Sequence, residues 1–301
     1  MRPGLKAIIA AAVLLGLGGA TFLLLTRADP LTAAQLPQHA ASVEHGRILY
    51  IIGGCISCHK PADTAGRDMT LPSGGRPLKT PIGIFYPPNI TPDKATGIGN
   101  WSTLDFVNAV HLGISPKGSH YIPAFPYPSF HHMPLSDVID LQAYAFSLPP
   151  VNATNRSADV LLPWLLRRGV GLWKRLALDD TPYRPDPSKS ASWNRGAYLV
   201  NAPGHCGECH TPRNLLLIPD ENRHLAGAPH PEGKDRVPSL RNLVGRGRYA
   251  DAKELTSAMR FGETMGFDRL SSGGMGDVQA NLAQLPEEDV RAIAEYLISL
   301  K

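Results

Sequence analysis

The amino-acid sequence predicts a mainly α-helical fold in which an apolar N-terminal helix precedes two copies of one helical unit. Three observations support this prediction. An uncharged run extends from Ala7 to Leu25. A Cys-x-x-Cys-His pattern occurs twice, at Cys55–His59 and at Cys206–His210, and a helix-like segment precedes each copy. An amphipathic segment closes each copy, and the 301 residues suffice for about two domains of ordinary size.

The apolar run near the N-terminus predicts a membrane anchor over residues 1–28. Its length is close to the roughly 20 residues that a membrane-spanning helix needs, and it exceeds the apolar core of about 7–15 residues in a cleaved signal peptide. A cleaved signal is the alternative, because Thr26-Arg27-Ala28 resembles a small-residue cleavage site. Arg2 and Lys6 precede the run, so the positive-inside rule predicts an inner (cytoplasmic) membrane protein with its remaining residues in the periplasm.

Each copy of the repeat begins with a predicted helix that leads into its cysteine motif. The first starts near Ser42 and the second near Ser192. Gly46 and Gly196 lie at nearly the same distance before the first cysteine of their copy. Because glycine lowers helix stability, we expect each of them to occupy a place where another segment packs closely.

Each copy also ends in a predicted helix. We expect Ser136 to cap the first, which stops before Pro149, and Pro286 to begin the second. The repeat therefore predicts one unit over residues 42–150 and another over residues 191–301.

The segment between the two units, residues 151–190, is a predicted linker rich in proline, basic residues and leucine. Its centre alternates tryptophan and basic residues with leucines. It is predicted either to pack as a strap against both units or to form a helix that lies on the membrane surface or on a partner.

The two cysteine motifs contain every cysteine of the chain: Cys55, Cys58, Cys206 and Cys209. Cys-x-x-Cys-His is the attachment pattern of haem c, in which two thiols bond to one porphyrin and the histidine ligates its iron. A redox-active pair or half of a zinc site also contains Cys-x-x-Cys. The repetition of the whole pattern favours two covalently bound haem c groups.

The histidines of the motifs, His59 and His210, are the predicted proximal iron ligands. Pro61 and Pro212 follow them at the same spacing in both copies. We expect a backbone carbonyl at each of these prolines to accept the histidine ring N–H, because such a bond orients the ring and raises its basicity.

Methionines before the closing helices are the predicted distal ligands. Met133 is the choice in the first copy, with His131, His132 or a core role for Met133 as alternatives. Met275 lies in a glycine-rich loop of the second copy, with Met265 as the alternative. Methionine raises the reduction potential of haem iron, and it fills the sixth coordination position. It therefore favours electron transfer over catalysis.

Composition excludes other functions. The net charge of +4 comes without a concentrated basic patch, so nucleic-acid binding is not expected. The chain has no hydrolase, nucleotide-binding or zinc pattern, and no catalytic residues are predicted.

Several stretches resemble the cytochrome c subunits of membrane-bound alcohol, gluconate, fructose and aldehyde dehydrogenases. They are 80–93, 97–102, 123–127, 195–200 and 204–214. The resemblance covers about residues 42–301. It implies two cytochrome c domains in tandem and a non-catalytic subunit that relays electrons from a periplasmic dehydrogenase to quinone or an oxidase.

The sequence also departs from this family. Many relatives carry three haem motifs where this chain has two, and some have methionine where Phe125 stands. The second copy has Val237–Leu243 where the family has an Asn-Ile-Thr segment. The alternative functions are a haem subunit of a terminal oxidase and a dihaem enzyme of the peroxidase or thiosulfate-oxidising type, which needs a displaceable sixth ligand.

Overall fold

The computed structural model describes residues 3–62, 68–80, 83–161, 163–179, 181–230, 236–262 and 274–301. These residues are mainly α-helical, as predicted. The helices are α1 Pro3–Leu25, α2 Val43–Ile52, α3 Cys55–His59, α4 Thr103–Leu112, α5 Tyr127–Phe130, α6 Leu135–Ser147, α7 Pro163–Ala177, α8 Ala191–Asn201, α9 Gly207–His210, α10 Ala252–Phe261, α11 Met275–Leu282 and α12 Glu287–Ser299.

Five short strands lie in the loops between these helices. They are β1 Leu78–Thr80, β2 Gly83–Phe85, β3 Asp159–Val160, β4 Ala228–Pro229 and β5 Arg236–Val237. The first three form an antiparallel sheet in the order β1-β2-β3, and the last two pair with each other. In the larger sheet, β2 is central: Gly83 lies opposite Thr80 on one side and Val160 on the other.

Helix α1 is the one described helix that is long and apolar enough to cross a membrane by length and composition. Its span Gly4–Leu25 has a mean hydropathy of 2.5, and none of it is buried in the protein. Thr26 follows the helix, and its hydroxyl donates to the Phe22 carbonyl at 2.7 Å. A cleaved signal sequence meets the same criterion, so the choice between anchor and signal stays a prediction.

Helices α2 and α6 cross where Gly46 meets the backbone of α6. A Cβ atom on Gly46 would lie 1.9 Å from the Asp140 carbonyl oxygen, so the predicted close contact is confirmed at this position. The side chain of Asp140 secures the crossing, because it accepts hydrogen bonds from the Ser42 backbone at 2.7 Å and from the His45 ring at 2.8 Å. Helix α6 begins at Leu135 after Pro134, and not under a Ser136 cap as expected.

Helices α8 and α12 repeat this crossing in the second half of the chain. A Cβ atom on Gly196 would lie 1.9 Å from the Ala292 carbonyl oxygen, which confirms the second predicted contact. The guanidinium of Arg195 donates to the carboxylate of Asp289 at 2.8 and 2.9 Å. The cap of α8 is Ser190, slightly earlier than the expected start near Ser192.

The two crossings align the halves of the chain residue by residue. Met133 and Leu285 are equivalent in this alignment, because they lie the same number of residues before Asp140 and Ala292 respectively. Both side chains are buried, and each residue comes just before the proline that precedes a closing helix. The buried apolar side chains of both halves belong to one continuous cluster, which includes Leu49, Phe130, Leu199 and Leu282.

The predicted linker contains α7, and one face of this helix packs against both halves. The Lys174 ammonium donates to the Gly113 carbonyl at 3.0 Å, and the Trp173 indole N–H donates to the Leu216 carbonyl at 2.8 Å. These contacts agree with a strap between the units. They involve only one side of α7.

Candidate haem-binding sites

The first cysteine motif occupies α3, a single helical turn that follows α2 after a sharp change of direction. Gly54 makes this change with a φ of 59°, a conformation that glycine adopts without steric cost. Cys55 and Cys58 lie on this turn, both half-buried. Burial raises the pKa of Cys55 to about 12. Redox-active Cys-x-x-Cys pairs have lowered thiol pKa values instead, so this environment does not fit such a pair.

The second motif repeats this arrangement around α9. Cys206 precedes the helix and Cys209 lies within it. Burial raises the pKa of Cys206 to about 12, as in the first motif. The motif differs in its third position, where Glu208 forms an ion pair with Arg213. Arg213 is thus partnered within the protein, close to the motif.

The ring of His59 is oriented by a carbonyl from a distant loop. Its Nδ1 lies 2.7 Å from the Pro88 carbonyl oxygen, and since a carbonyl only accepts, Nδ1 carries the proton. The Nε2 atom is therefore the one with a lone pair for a metal ion. The backbone carbonyl of His59 in turn accepts from the Gly74 N–H at 2.6 Å.

His210 has the same two bonds in the second half. Its Nδ1 lies 2.7 Å from the Pro238 carbonyl oxygen, and its own carbonyl accepts from the Gly227 N–H at 2.7 Å. Gly74 and Gly227 both have positive φ values, 78° and 83°, which bring their loops close to the segments that supply the carbonyls. The second copy keeps this geometry although it lacks the Asn-Ile-Thr segment.

The orienting carbonyls differ from those predicted. We expected carbonyls at Pro61 and Pro212, and this expectation is wrong, because the acceptors belong to Pro88 and Pro238, 29 and 28 residues after their histidines. The type of interaction was foreseen, but its partner lies beyond the local sequence.

The predicted distal residues lie in two different settings. Met133 is 2% exposed within the core cluster, at the position equivalent to Leu285 in the other half. Met275 is the first residue of α11, and not part of a loop as expected, and it is half-buried. The alternative Met265 lies outside the described residues. The Nδ1 atoms of His131 and His132 bond to the carbonyls of His111 and Thr181, at 2.9 and 2.7 Å.

Polar contacts join each motif to the opposite half of the chain. The Asn281 amide of α11 donates to the Ser57 hydroxyl in the first motif at 3.0 Å, and Asp277 pairs with Lys60 at 3.2 Å. In the other direction, the Ser129 hydroxyl of α5 donates to Glu208 of the second motif at 2.8 Å. Ser57 and Glu208 are the third residues of their motifs.

A further contact joins the segments that lead into the motifs. The ring of His205, the residue before Cys206, donates from Nε2 to the Gly53 carbonyl at 3.1 Å. The sequence assigns no role to His205, Ser129 or Asn281. These side chains have no distinguishing local pattern, so only the fold identifies them.

The donor set of each half fits a haem c group. Each half offers two thiols on one turn and a histidine whose Nε2 has a lone pair. The Tyr50 and Tyr127 hydroxyls of the first half are buried without a hydrogen-bond partner among the described residues. Such donors suit a group with polar substituents, because an unsatisfied buried hydroxyl is otherwise costly.

Comparison with known proteins gives three informative relatives. The chain is 40% identical over 298 residues to the protein "Diheme cytochrome c-type" of Cereibacter sphaeroides, which covers 99% of this chain and 98% of the relative. It is 36% identical over 279 residues to the fructose dehydrogenase cytochrome subunit of Gluconobacter japonicus, and 36% identical over 272 residues to the gluconate 2-dehydrogenase cytochrome c subunit of Pantoea cypripedii.

The coverage differs among these relatives. The two dehydrogenase subunits are longer, and the chain spans 56% and 60% of their lengths while 91% and 86% of the chain itself is matched. No protein-family model matches the chain.

Proposed function

We propose, because this chain belongs to the dihaem c-type cytochromes, that it carries two covalently bound haem c groups and transfers electrons between a dehydrogenase and the respiratory chain. A bound haem c supplies one-electron redox chemistry at its iron. The observation that carries the proposal is the repeated pair of bonds at His59 and His210. In both halves, Nδ1 donates to a proline carbonyl and leaves Nε2 as the ligating atom.

The chain's own residues have distinct roles in this proposal. Cys55 and Cys58 hold one haem, and Cys206 and Cys209 hold the other. His59 and His210 are the proximal ligands, and the carbonyls fix their rings and raise their basicity. Because the carbonyls hold the histidine rings, the rings keep the same orientation in the oxidised and reduced states. Electron transfer then requires less structural rearrangement.

Methionines complete the two proposed sites. Met275, the first residue of α11, is the proposed ligand in the second half. Met133 is the proposed ligand in the first half. The equivalent residue of the second half, Leu285, is also buried but has no atom that can ligate iron. The thioether sulfur of Met133 is therefore the feature that suits it to a ligand role. With both sixth positions filled, the chain is a non-catalytic electron-transfer subunit.

The proposed architecture is an anchor at residues 1–28 followed by two cytochrome c domains in the periplasm. The domains comprise residues 42–150 and 191–301, and residues 151–190 connect them. The contacts from Asn281 to Ser57 and from Ser129 to Glu208 support close placement of the two motifs. Close placement favours electron transfer between the two haem groups within one chain.

The proposed partner is the catalytic subunit of a periplasmic dehydrogenase. The names of two relatives support it, because they are cytochrome subunits of fructose and gluconate dehydrogenases. We propose quinone or an oxidase in the inner membrane as the electron acceptor. Nucleic acid is not among the proposed partners.

Purification of the tagged full chain in mild detergent tests the partner. We expect a dehydrogenase subunit in the sample, identified by mass spectrometry, and reduction of both haem groups when the substrate of that dehydrogenase is added. The matched control is a strain that produces Cys206→Ala/Cys209→Ala, in which only the first haem should be reduced. Co-purification with copper-containing oxidase subunits, or a high-spin haem in the resting protein, would contradict the proposal.

A further inference from the structure

Helix α7 is bonded to the end of α1, where the proposed anchor leaves the membrane. The Arg175 guanidinium donates from Nε to the Leu25 carbonyl at 2.7 Å, and Arg168 donates to the Thr26 carbonyl at 3.1 Å. Gly171 allows this approach, since a Cβ atom there would lie 2.7 Å from the Thr26 oxygen. These hydrogen bonds hold α7 against the C-terminal end of α1.

The inner face of α7 is occupied by the protein itself. Val170 and Lys174 are buried on this face. The Lys174 ammonium donates to the carbonyls of Leu112 and Gly113 at the end of α4, and it lies 4.5 Å from the centre of the Tyr127 ring. Helix α7 is therefore in direct contact with the end of α4 and with α5 of the first half.

The outer face of α7 is an exposed leucine stripe. Leu165, Leu172 and Leu176 recur at helical spacing and are 48%, 43% and 66% exposed. Arg175 is exposed at the border of the stripe. A helix with leucines on one side and a basic residue at their border is typical of segments that lie in a membrane interface.

A loop of three leucines lies beside this stripe. Leu215, Leu216 and Leu217 are all exposed, Leu215 completely, at the tip of a turn closed by a bridge between Arg213 and Pro219. The Trp173 indole of α7 donates to the Leu216 carbonyl at 2.8 Å, so the loop is tied to the helix. Exposed apolar surface of this kind marks an interaction site.

We propose that the leucine stripe of α7 and the leucine loop 215–217 rest together in the outer interfacial layer of the phospholipid bilayer. This inference rests on the membrane anchor of the proposed function. The occupant is lipid because the surface is continuous with α1, through the bonds of Arg168 and Arg175 to the carbonyls at its end. The exposed Arg175 suits a phosphate headgroup, and the leucines suit the acyl boundary beneath it.

The consequence is a fixed orientation of both motifs above the membrane. A single spanning helix leaves a periplasmic domain free to rotate and tilt. A second contact, made by α7 of the linker and by the loop 215–217 of the second half, removes this freedom. The two proposed haem sites are then presented at a defined height to partners in the same membrane.

Spin labels on the full-length holoprotein in phospholipid vesicles test the proposal. All four native cysteines are in haem motifs, so one introduced cysteine is the labelling site. The variants are Leu172→Cys, Leu176→Cys and Leu215→Cys, with the exposed Val244→Cys as the aqueous control and Leu14→Cys in α1 as the bilayer control. The accessibility of each label to oxygen and to a water-soluble nickel complex is measured by electron paramagnetic resonance.

We expect labels at 172, 176 and 215 to show several-fold higher oxygen accessibility and several-fold lower nickel accessibility than the label at 244. If these three match position 244 while position 14 is lipid-exposed, the inference is wrong and the anchor stands. If position 14 is aqueous as well, the anchor of the proposed function fails. Protection of 172, 176 and 215 that appears only after a dehydrogenase is added would also overturn the inference, in favour of a protein partner.

Discussion

The side-chain amide of Asn281 donates a hydrogen bond of 3.0 Å to the hydroxyl of Ser57, 224 residues earlier in the chain. Ser57 is the third residue of the first cysteine motif, and Asn281 lies in the helix that begins with Met275. The third residue of the second motif, Glu208, accepts from Ser129 in the corresponding segment of the first half. The two halves are therefore joined reciprocally at their motifs.

The first prediction concerns this joint. Asn281→Ala leaves the Ser57 hydroxyl buried without its partner, which should lower the free energy of unfolding by about 1–3 kcal/mol. Urea unfolding of the purified holoprotein, followed by circular dichroism, measures the change. Gln284→Ala, three residues after Asn281 but exposed, should stay within about 0.5 kcal/mol. Strict additivity of Asn281→Ala and Ser57→Ala would show that the two side chains are not coupled.

A second prediction concerns the two helix crossings. Gly46→Ala or Gly196→Ala would place a Cβ atom 1.9 Å from a backbone oxygen, so the helices must separate. We expect a loss of about 3 kcal/mol or more and a low yield of haem-loaded protein. Gly169→Ala is the matched control, because no atom lies within 4 Å of its Cβ position. Equal behaviour of all three variants would argue against close crossings.

The third prediction separates the two methionines. Met275→Leu and Met133→Leu should each remove methionine ligation from one haem, seen as a loss of about half of the near-infrared absorption of methionine-ligated ferric haem and a lower potential for that haem. Met69→Leu, at an exposed site, should change neither. Full retention of the absorption in Met133→Leu would assign Met133 to core packing, the role of Leu285.

A fourth prediction concerns pH. Burial lowers the pKa of Lys174 to about 7. The unfolded chain keeps this proton up to about pH 10.4, so between these values the unfolded state binds more protons and stability rises with pH. The melting temperature of the unmodified protein should therefore rise relative to Lys174→Met between pH 7 and pH 9. Lys117→Met, at an exposed lysine, should follow the unmodified protein, and a constant difference for Lys174→Met would refute the assignment.

The repeat was predictable from sequence because its signals are local. Gly46 and Gly196 are glycines inside helical patterns, and the cost of glycine there pointed to the contacts that the structure contains. The predicted helical class follows from the same periodicity. The caps were less predictable: Pro134 caps α6, two residues before Ser136, which was the expected cap.

The partners of the motif residues were not predictable in the same way. Pro88 and Pro238 orient the histidines through backbone carbonyls, which every residue has, so no side chain identifies them. The bonds of Asn281 and His205 cross between the two halves and depend on how these pack. The alignment of Met133 with Leu285 likewise needs the two helix crossings as reference points.

The haem content of the full chain tests the central claim most directly. The chain is produced in a host that attaches haem c, its intact mass is measured, and haem per chain is determined from the pyridine haemochrome spectrum. We predict two covalently bound haem groups in the unmodified protein and one in Cys206→Ala/Cys209→Ala. One haem or none in the unmodified protein, or two in the variant, would contradict the account.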